Sequence, residues 1–418
     1  MKLGYPSVRL IIIIAALVIP FTSLRFGPVG LGEILVVVAS ALLLVLNGGR
    51  IQVNNSVFPL VRFWYVYLFV ISVGFAYNIV VLDHASGTFP GAAFDFASYV
   101  VILGAIIVLG DRNLFIGTSP ERFFTTIFVC WTIAYSALYL LSFVTPQIFG
   151  LPLRYYNHFS PLVDNVHQAA MVTAAMPFVM WHLGVLRGPI MFRLFCFGTG
   201  ALFVKMALES GSTKALVAVI VGGAVSALFI VFGLLTRRGG WMLKASALVA
   251  VAAASVLLVV ANADSIVPFA TQFFQDNDGA HAREGLYSIG FQHAMDSIIV
   301  GYGPGPHILY DFFGEYSDAH NTILTIVLQG GLVAIIAALM AVYSIAKRTA
   351  SSAFLIATLS SIAIYMIGGD ILRRLPIWII IVGVLYLSRS ANGSAKAVGV
   401  DRAANGSPET GFLRQRLS

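Results

Sequence analysis

Long apolar tracts alternate with short polar breaks along most of this 418-residue chain. A run of about 17 to 25 apolar residues is long enough to cross a bilayer as a helix. The pattern predicts twelve such spans, near 8–24, 29–46, 60–82, 94–110, 122–144, 165–186, 190–208, 213–235, 241–262, 320–346, 350–367 and 374–388. The first and last are the weakest, being short or flanked by Pro20 and Pro376. Short polar connections suit antiparallel neighbours, so residues 1–388 read as an all-α, polytopic transmembrane helical bundle. One interval breaks the rhythm: residues 263–319, between the ninth and tenth spans, form a large polar loop. Beyond Ser388 the chain turns to Ser, Ala, Gly, Asn and Arg without periodicity, which predicts a disordered tail over 389–418. No internal repeat is evident.

Composition agrees with the pattern. The chain is 59% hydrophobic and 10% charged, whereas a soluble chain is about half apolar and a quarter charged. Met1-Lys2 followed by Leu10–Pro20 has the look of a signal peptide, but no clear small-x-small cleavage site follows, and the segment reads as an uncleaved first span. Cys130 and Cys196 both lie inside apolar runs and suggest neither a disulfide framework nor a metal motif.

The formal charge of +7 raises a nucleic-acid partner until the charges are placed. With the N-terminus inside, 18 of the 25 Lys and Arg residues fall on the cytoplasmic side and 14 of the 18 acidic residues on or near the other. That asymmetry sets topology. It puts both termini in the cytoplasm and the long loop outside, and it removes the case for nucleic acid.

The chemistry-bearing residues concentrate in and around the loop. Asp318-Ala319-His320-Asn321 precedes an apolar run. Asp318 could cap a helix beginning near Ala319 or His320. A histidine in a helix's first turn is held neutral by the backbone dipole and can accept a proton, while the exposed N–H groups attract phosphate. The bland alternative is an interfacial pair that only satisfies helix-end hydrogen bonds. Arg283 could clamp a diphosphate with its planar fork, or pair locally with Glu284, Asp276 or Asp278. Leu286, Ile289, Phe291 and Met295 after it could line an amphipathic surface helix. Gly301-x-Gly303-x-Gly305 is not a dinucleotide fingerprint, because prolines interrupt it and no βαβ unit surrounds it. Gly301 and Gly303 better suit a tight turn returning the loop to the membrane.

Other outer-face residues add candidates. Lys205 and Glu209 are spaced to pair across one helical turn, or Lys205 could snorkel. Lys214, beside Ser210, Gly211, Ser212 and Thr213, suits an anion seat. Arg154, Tyr155, Tyr156 and His158, with Asn165, His167 and Gln168 following, suit either sugar stacking or an interfacial belt. Arg373 and Arg374 are cationic candidates because they run against the positive-inside rule.

Three of these stretches carry a family resemblance. Gly301–Ile336, from the Gly-rich turn through His320-Asn321 to Gln329-Gly330-Gly331, resembles the signature region of the bacterial O-antigen ligase and O-antigen/exopolysaccharide polymerase superfamily. Ser210–Gly223 is similar to that family's Ser-x-Ser-Arg stretch, with Lys214 where the family usually has Arg, and Asp164–Pro177 to its Asn-rich helix start. The resemblance implies an inverting, metal-independent glycosyltransferase without cofactors, in the bacterial inner membrane. Its donor would be a glycan on undecaprenyl diphosphate, presented at the periplasmic face. His320 would be the base that deprotonates the acceptor hydroxyl, and Arg283 and Lys214 would hold the diphosphate. The acceptor would be lipid A core for a ligase, or a second lipid-linked repeat for a polymerase. A twelve-span transporter is the rival reading; it expects pseudo-symmetric halves, mid-membrane polar residues and often a central cytoplasmic loop, against an off-centre outer loop here. A structural membrane partner without activity is the third.

Overall fold

The computed structural model describes residues 4–26, 29–82, 89–155, 157–163, 166–186, 188–238, 278–310 and 315–404. Its helices are α1 (Tyr5–Val18), α2 (Leu31–Leu46), α3 (Phe58–Tyr77), α4 (Phe89–Gly110), α5 (Pro120–Leu141), α6 (Val166–Val185), α7 (Ile190–Glu209), α8 (Thr213–Arg238), α9 (Asp278–Asp296), α10 (Thr322–Thr349), α11 (Ala353–Gly368) and α12 (Leu375–Ala404). The strands are two- and three-residue antiparallel hairpins in connections, among them Ile308–Tyr310 with Glu315–Ser317 in the long loop.

Among the described residues seven helices are long and apolar enough to cross a membrane, namely α3 to α8 and α10; α1, α2, α11 and the first half of α12 are shorter apolar helices. The expected span at 241–262 lies outside the described residues. Each remaining expected span coincides with one of these helices.

Burial ranks them differently from the apolar pattern. The last expected span, weak by length and by Pro376, is the most enclosed: Ile377, Ile379, Ile380, Val382, Val384, Leu385, Tyr386 and Leu387 are all buried. A helix that is apolar on every face belongs inside a bundle. Pro376 costs nothing there, because it falls in the first turn of α12, where no intrahelical N–H bond is lost. Trp378 packs in an aromatic cluster with Phe63, Trp64, Tyr67 and Tyr99, with ring centroids 4.9 Å apart for Trp64–Trp378. The helical backbone also continues to Ala404, past the point where a disordered tail was expected to begin. Ala391, Ala395 and Ala397 are strong helix formers that extend a helix already nucleated in the core.

The long α10 is two helices joined at Gly331, whose backbone (φ 59°, ψ −156°) is not helical. The break would leave the carbonyls of Leu328 and Gln329 and the N–H groups of Leu332 and Val333 without their intrahelical partners. The loop segment 298–303 supplies all four. Tyr302 N–H donates to Leu328 O at 2.7 Å and Gly303 N–H to Gln329 O at 2.9 Å. Leu332 N–H donates to Ile298 O at 2.7 Å and Val333 N–H to Ile299 O at 3.4 Å. The Gly-rich turn is thus spliced into the helix. A side chain on Gly301 would put its β-carbon 2.5 Å from the Gly330 nitrogen.

A small second core, comprising Leu286, Ala294, Tyr302, Ile308, Ala319 and Leu328, ties α9 and the loop to α10. It splits the four residues expected to line one amphipathic face. Leu286 is buried and Ile289 packs on this core, while Phe291 and Met295 face outward.

Candidate active site

The N-terminus of α10 meets the turn between α11 and α12. Asn321 is the N-cap, its Oδ1 accepting from Ile323 N–H at 2.9 Å and Leu324 N–H at 3.1 Å, while its Nδ2 donates to Ile367 O at 2.9 Å. Thr322 donates both its N–H (3.1 Å) and its hydroxyl (2.7 Å) to Gly369 O, and the hydroxyl accepts from Ile371 N–H at 3.0 Å. These bonds correct the expected cap. Asp318 does not close this helix, because its carboxylate is taken by Arg373, and Asn321, immediately before the helix, is the residue in reach of the free N–H groups.

His320 therefore precedes the helix instead of occupying its first turn. It is exposed and adopts a left-handed conformation (φ 49°), which is uncommon for a residue with a side chain. Two flanking anchors, Asp318 on Arg373 and Asn321 on Ile367, hold the backbone in that form. Strain of this kind is often kept where function needs it.

Lys214 reaches the same turn from α8. A β-carbon placed on Gly368 would lie 3.0 Å from Lys214 Cδ and Cε, so the lysine stem passes closely along the turn. Lys214 and the two residues that follow His320, far apart in sequence, thus border one short segment, 367–369. Ser212, two residues before Lys214, bonds to His167 Nδ1 at 3.1 Å and to the Tyr365 hydroxyl at 3.3 Å. A β-carbon on Gly211 would sit 2.3 Å from His158 Nδ1. These contacts join the α7–α8 turn to α6, α11 and the hairpin loop before α6.

Arg373 sits behind this surface. It bonds to Asp95 at 2.7 Å, to Asp318, and more loosely to Asp370 at 3.6 Å. Burial works against its charge, but the three carboxylates together raise its pKa above the ordinary arginine value. Burial pushes the Asp370 carboxyl up, which Arg373 partly offsets. Asp95 also accepts from Gln329 Nε2 at 3.1 Å, whose second amide hydrogen goes to Gly305 O at 3.2 Å. Gln329 Oε1 accepts from the Tyr67 and Tyr99 hydroxyls at 2.7 and 2.9 Å. Every donor and acceptor site of this buried amide is used.

The other expected site residues are placed as follows. Arg154 donates to Glu209 at 3.1 Å and to Ser142 at 3.1 Å, and lies over the Phe143 ring; Lys205 pairs with the same Glu209 at 2.8 Å. Arg154 is therefore engaged on the α5–α7 side. Arg283 lies on α9, and its side chain is outside the described residues. Gly301 and Gly303 take positive φ (67° and 89°) in the spliced turn. Asp95, Tyr67, Tyr99 and His307 escaped the sequence reading, and Gln329 entered it only as part of the resembling stretch. A lone carboxylate one turn into an apolar helix was the available signal for Asp95.

Residues 198–339 match the family model described as O-antigen ligase. The match supports the resemblance to the O-antigen ligase and polymerase superfamily over that third of the chain. No curated protein matches it. The matched O-antigen ligase stretch holds the α7–α8 turn with Lys214, the Gly-rich loop, His320 and the α10 break. The side chains that fasten it, namely Tyr67, Tyr99, Asp95 and Arg373, come from outside it.

Proposed function

We propose that this membrane glycosyltransferase moves a glycan from undecaprenyl diphosphate to an acceptor hydroxyl at the periplasmic face, in the manner of an O-antigen ligase. The observation that carries the reading is the meeting, at one short turn, 367–369, of half-buried Lys214 with Asn321 and Thr322, which directly follow exposed His320. A lipid diphosphate is a good leaving group, so the reaction needs one base and stabilisation of departing negative charge.

His320 takes the proton of the acceptor hydroxyl as its oxygen bonds to the anomeric carbon. The bond from that carbon to the diphosphate oxygen breaks with inversion, and the electron pair leaves with the diphosphate. Lys214 and Arg283 hold that anion. Lysine supplies charge without the bidentate fork of arginine, so Lys214 grips the diphosphate less directionally than an arginine would. The orientation that places this end of the bundle in the periplasm, with both termini in the cytoplasm, rests on the Lys and Arg asymmetry. Residues 1–388 form the catalytic membrane unit in this reading.

The glycan profile of a deletion strain tests it. Full-length lipid-linked polymer that is never transferred is the ligase outcome. Single repeats retained without chain extension is the outcome for a polymerase using the same donor. An unchanged profile contradicts both.

A further inference from the structure

A cleft of about 290 Å³ opens among the α1–α2 connection, α4, α6 and the start of α12, and Lys214 does not line it. Its polar lining is mostly committed elsewhere. Thr22 donates to Gln168, Glu33 accepts from Gly30 N–H at 3.1 Å, and Arg373 is held by its carboxylates. Arg374 is different. Its Nε is buried and finds no hydrogen-bond partner among the described residues. Arg374 as a whole is half-buried and lines the cleft, and a guanidinium with an unsatisfied nitrogen there is stabilised when an anion completes it.

The surroundings of Arg374 add to that need. Burial lowers its pKa, and the like charges of Arg373 and Arg25 lower it further, with Asp370 and Asp318 offsetting only part. Arg25 is exposed at the cleft, its Nε donating to Thr22 O at 3.0 Å. Two guanidiniums are thus brought toward one space. The rest of the wall is apolar, with Ile19, Phe94, Met171 and Ile377 among its residues. Cation and hydrocarbon side by side fit an amphiphile with an anionic head, and arginine's fork fits phosphate best.

We infer that this cleft is a binding site for a phosphate-bearing lipid, with Arg374 holding the phosphate, Arg25 at the mouth and the hydrocarbon chain against Ile19 and Phe94. It is a second anion seat, apart from the one proposed at Lys214, and it stands whether or not His320 is a base.

The test is a titration of the purified full-length chain in neutral maltoside detergent, read by thermal shift. The probes are dodecyl phosphate, inorganic phosphate and dodecanol. It is run on the unaltered chain and in a Lys214→Gln background, so that the other seat does not contribute. Dodecyl phosphate is expected to bind saturably in both, at least tenfold more tightly than inorganic phosphate, with dodecanol inert. Arg374→Gln and, independently, the charge reversal Arg25→Glu at an exposed position should each weaken that binding about tenfold. Undiminished binding in either arginine variant overturns the site. So does loss of all binding in Lys214→Gln alone, which would leave the diphosphate seat standing. Equal affinity for inorganic phosphate would overturn the lipid.

Discussion

Asp318 is bonded to Arg373, and this one contact fastens the residue two before His320 to the turn that leads into α12. The same guanidinium reaches Asp95 on α4, so three separate parts of the chain meet on a single side chain behind the candidate base.

Removing that guanidinium should therefore cost both stability and position. Arg373→Gln leaves two or three carboxylates facing one another, and breaking a buried charge cluster typically costs about 3–5 kcal/mol. The expected outcome is a lower thermal midpoint together with lost glycan transfer. Asp318→Asn is the gentler version. It should keep the fold and reduce transfer, because Asp95 and Asp370 still neutralise Arg373 while His320 loses an anchor. Transfer at full rate in Asp318→Asn would show that the anchor does not matter.

Gln329 is the second fastening. Gln329→Leu strands the Tyr67 and Tyr99 hydroxyls and one Asp95 oxygen, and each buried group left unpaired costs about 1–3 kcal/mol. Thermal unfolding in detergent should show the loss, and limited proteolysis should open the 301–310 segment first, since Gly305 is also released. Gln329→Glu is worse than an isosteric change suggests, because it sets a second carboxylate against Asp95.

Gly331 carries the helix break. A side chain there would meet Ile299 carbonyl atoms at 2.4 Å and must also adopt a backbone form that costs about 1–3 kcal/mol. Gly331→Ala should undock the loop while leaving the spans inserted, measurable as faster hydrogen exchange at Tyr302, Gly303, Leu332 and Val333 N–H. Exchange at the native rate would mean the loop is held without these four bonds.

Loop docking should also depend on pH. His307 is buried with Nε2 2.7 Å from Gly303 O, and burial pulls its pKa down to about 4. Undocked, it titrates near 6.5. The undocked state then binds more protons between these values, so docking is fully stable above about pH 6.5 and weakens as pH falls toward about 4, by roughly 3 kcal/mol in all. Proteolysis of the loop at pH 7 and pH 4.5 checks the direction. His307→Gln should flatten the dependence.

The sequence made the helices legible because membrane spans announce themselves by length and apolarity alone. It made His320, Lys214 and the Gly-rich turn legible because polar residues stand out against such a background. What it hid was partnership. Nothing in a one-dimensional pattern says that Gln329 will face Tyr67, or that Arg373, notable only as a misplaced cation, will be surrounded by Asp95, Asp318 and Asp370. The cap was misassigned for a related reason: Asp318 and Asn321 are both good caps, and a distant arginine decided between them. The enclosure of α12 was likewise invisible, since an apolar run reads the same whether it faces lipid or protein.

The central claim is that His320 is the base, and its most direct test is His320→Ala expressed in a strain lacking the native gene. The variant should reach the membrane at normal level with an unchanged thermal midpoint, since the side chain is exposed and Asn321 still caps α10, yet transfer no glycan from the lipid-linked donor. Normal polymer or fully capped lipopolysaccharide in that strain would contradict the account.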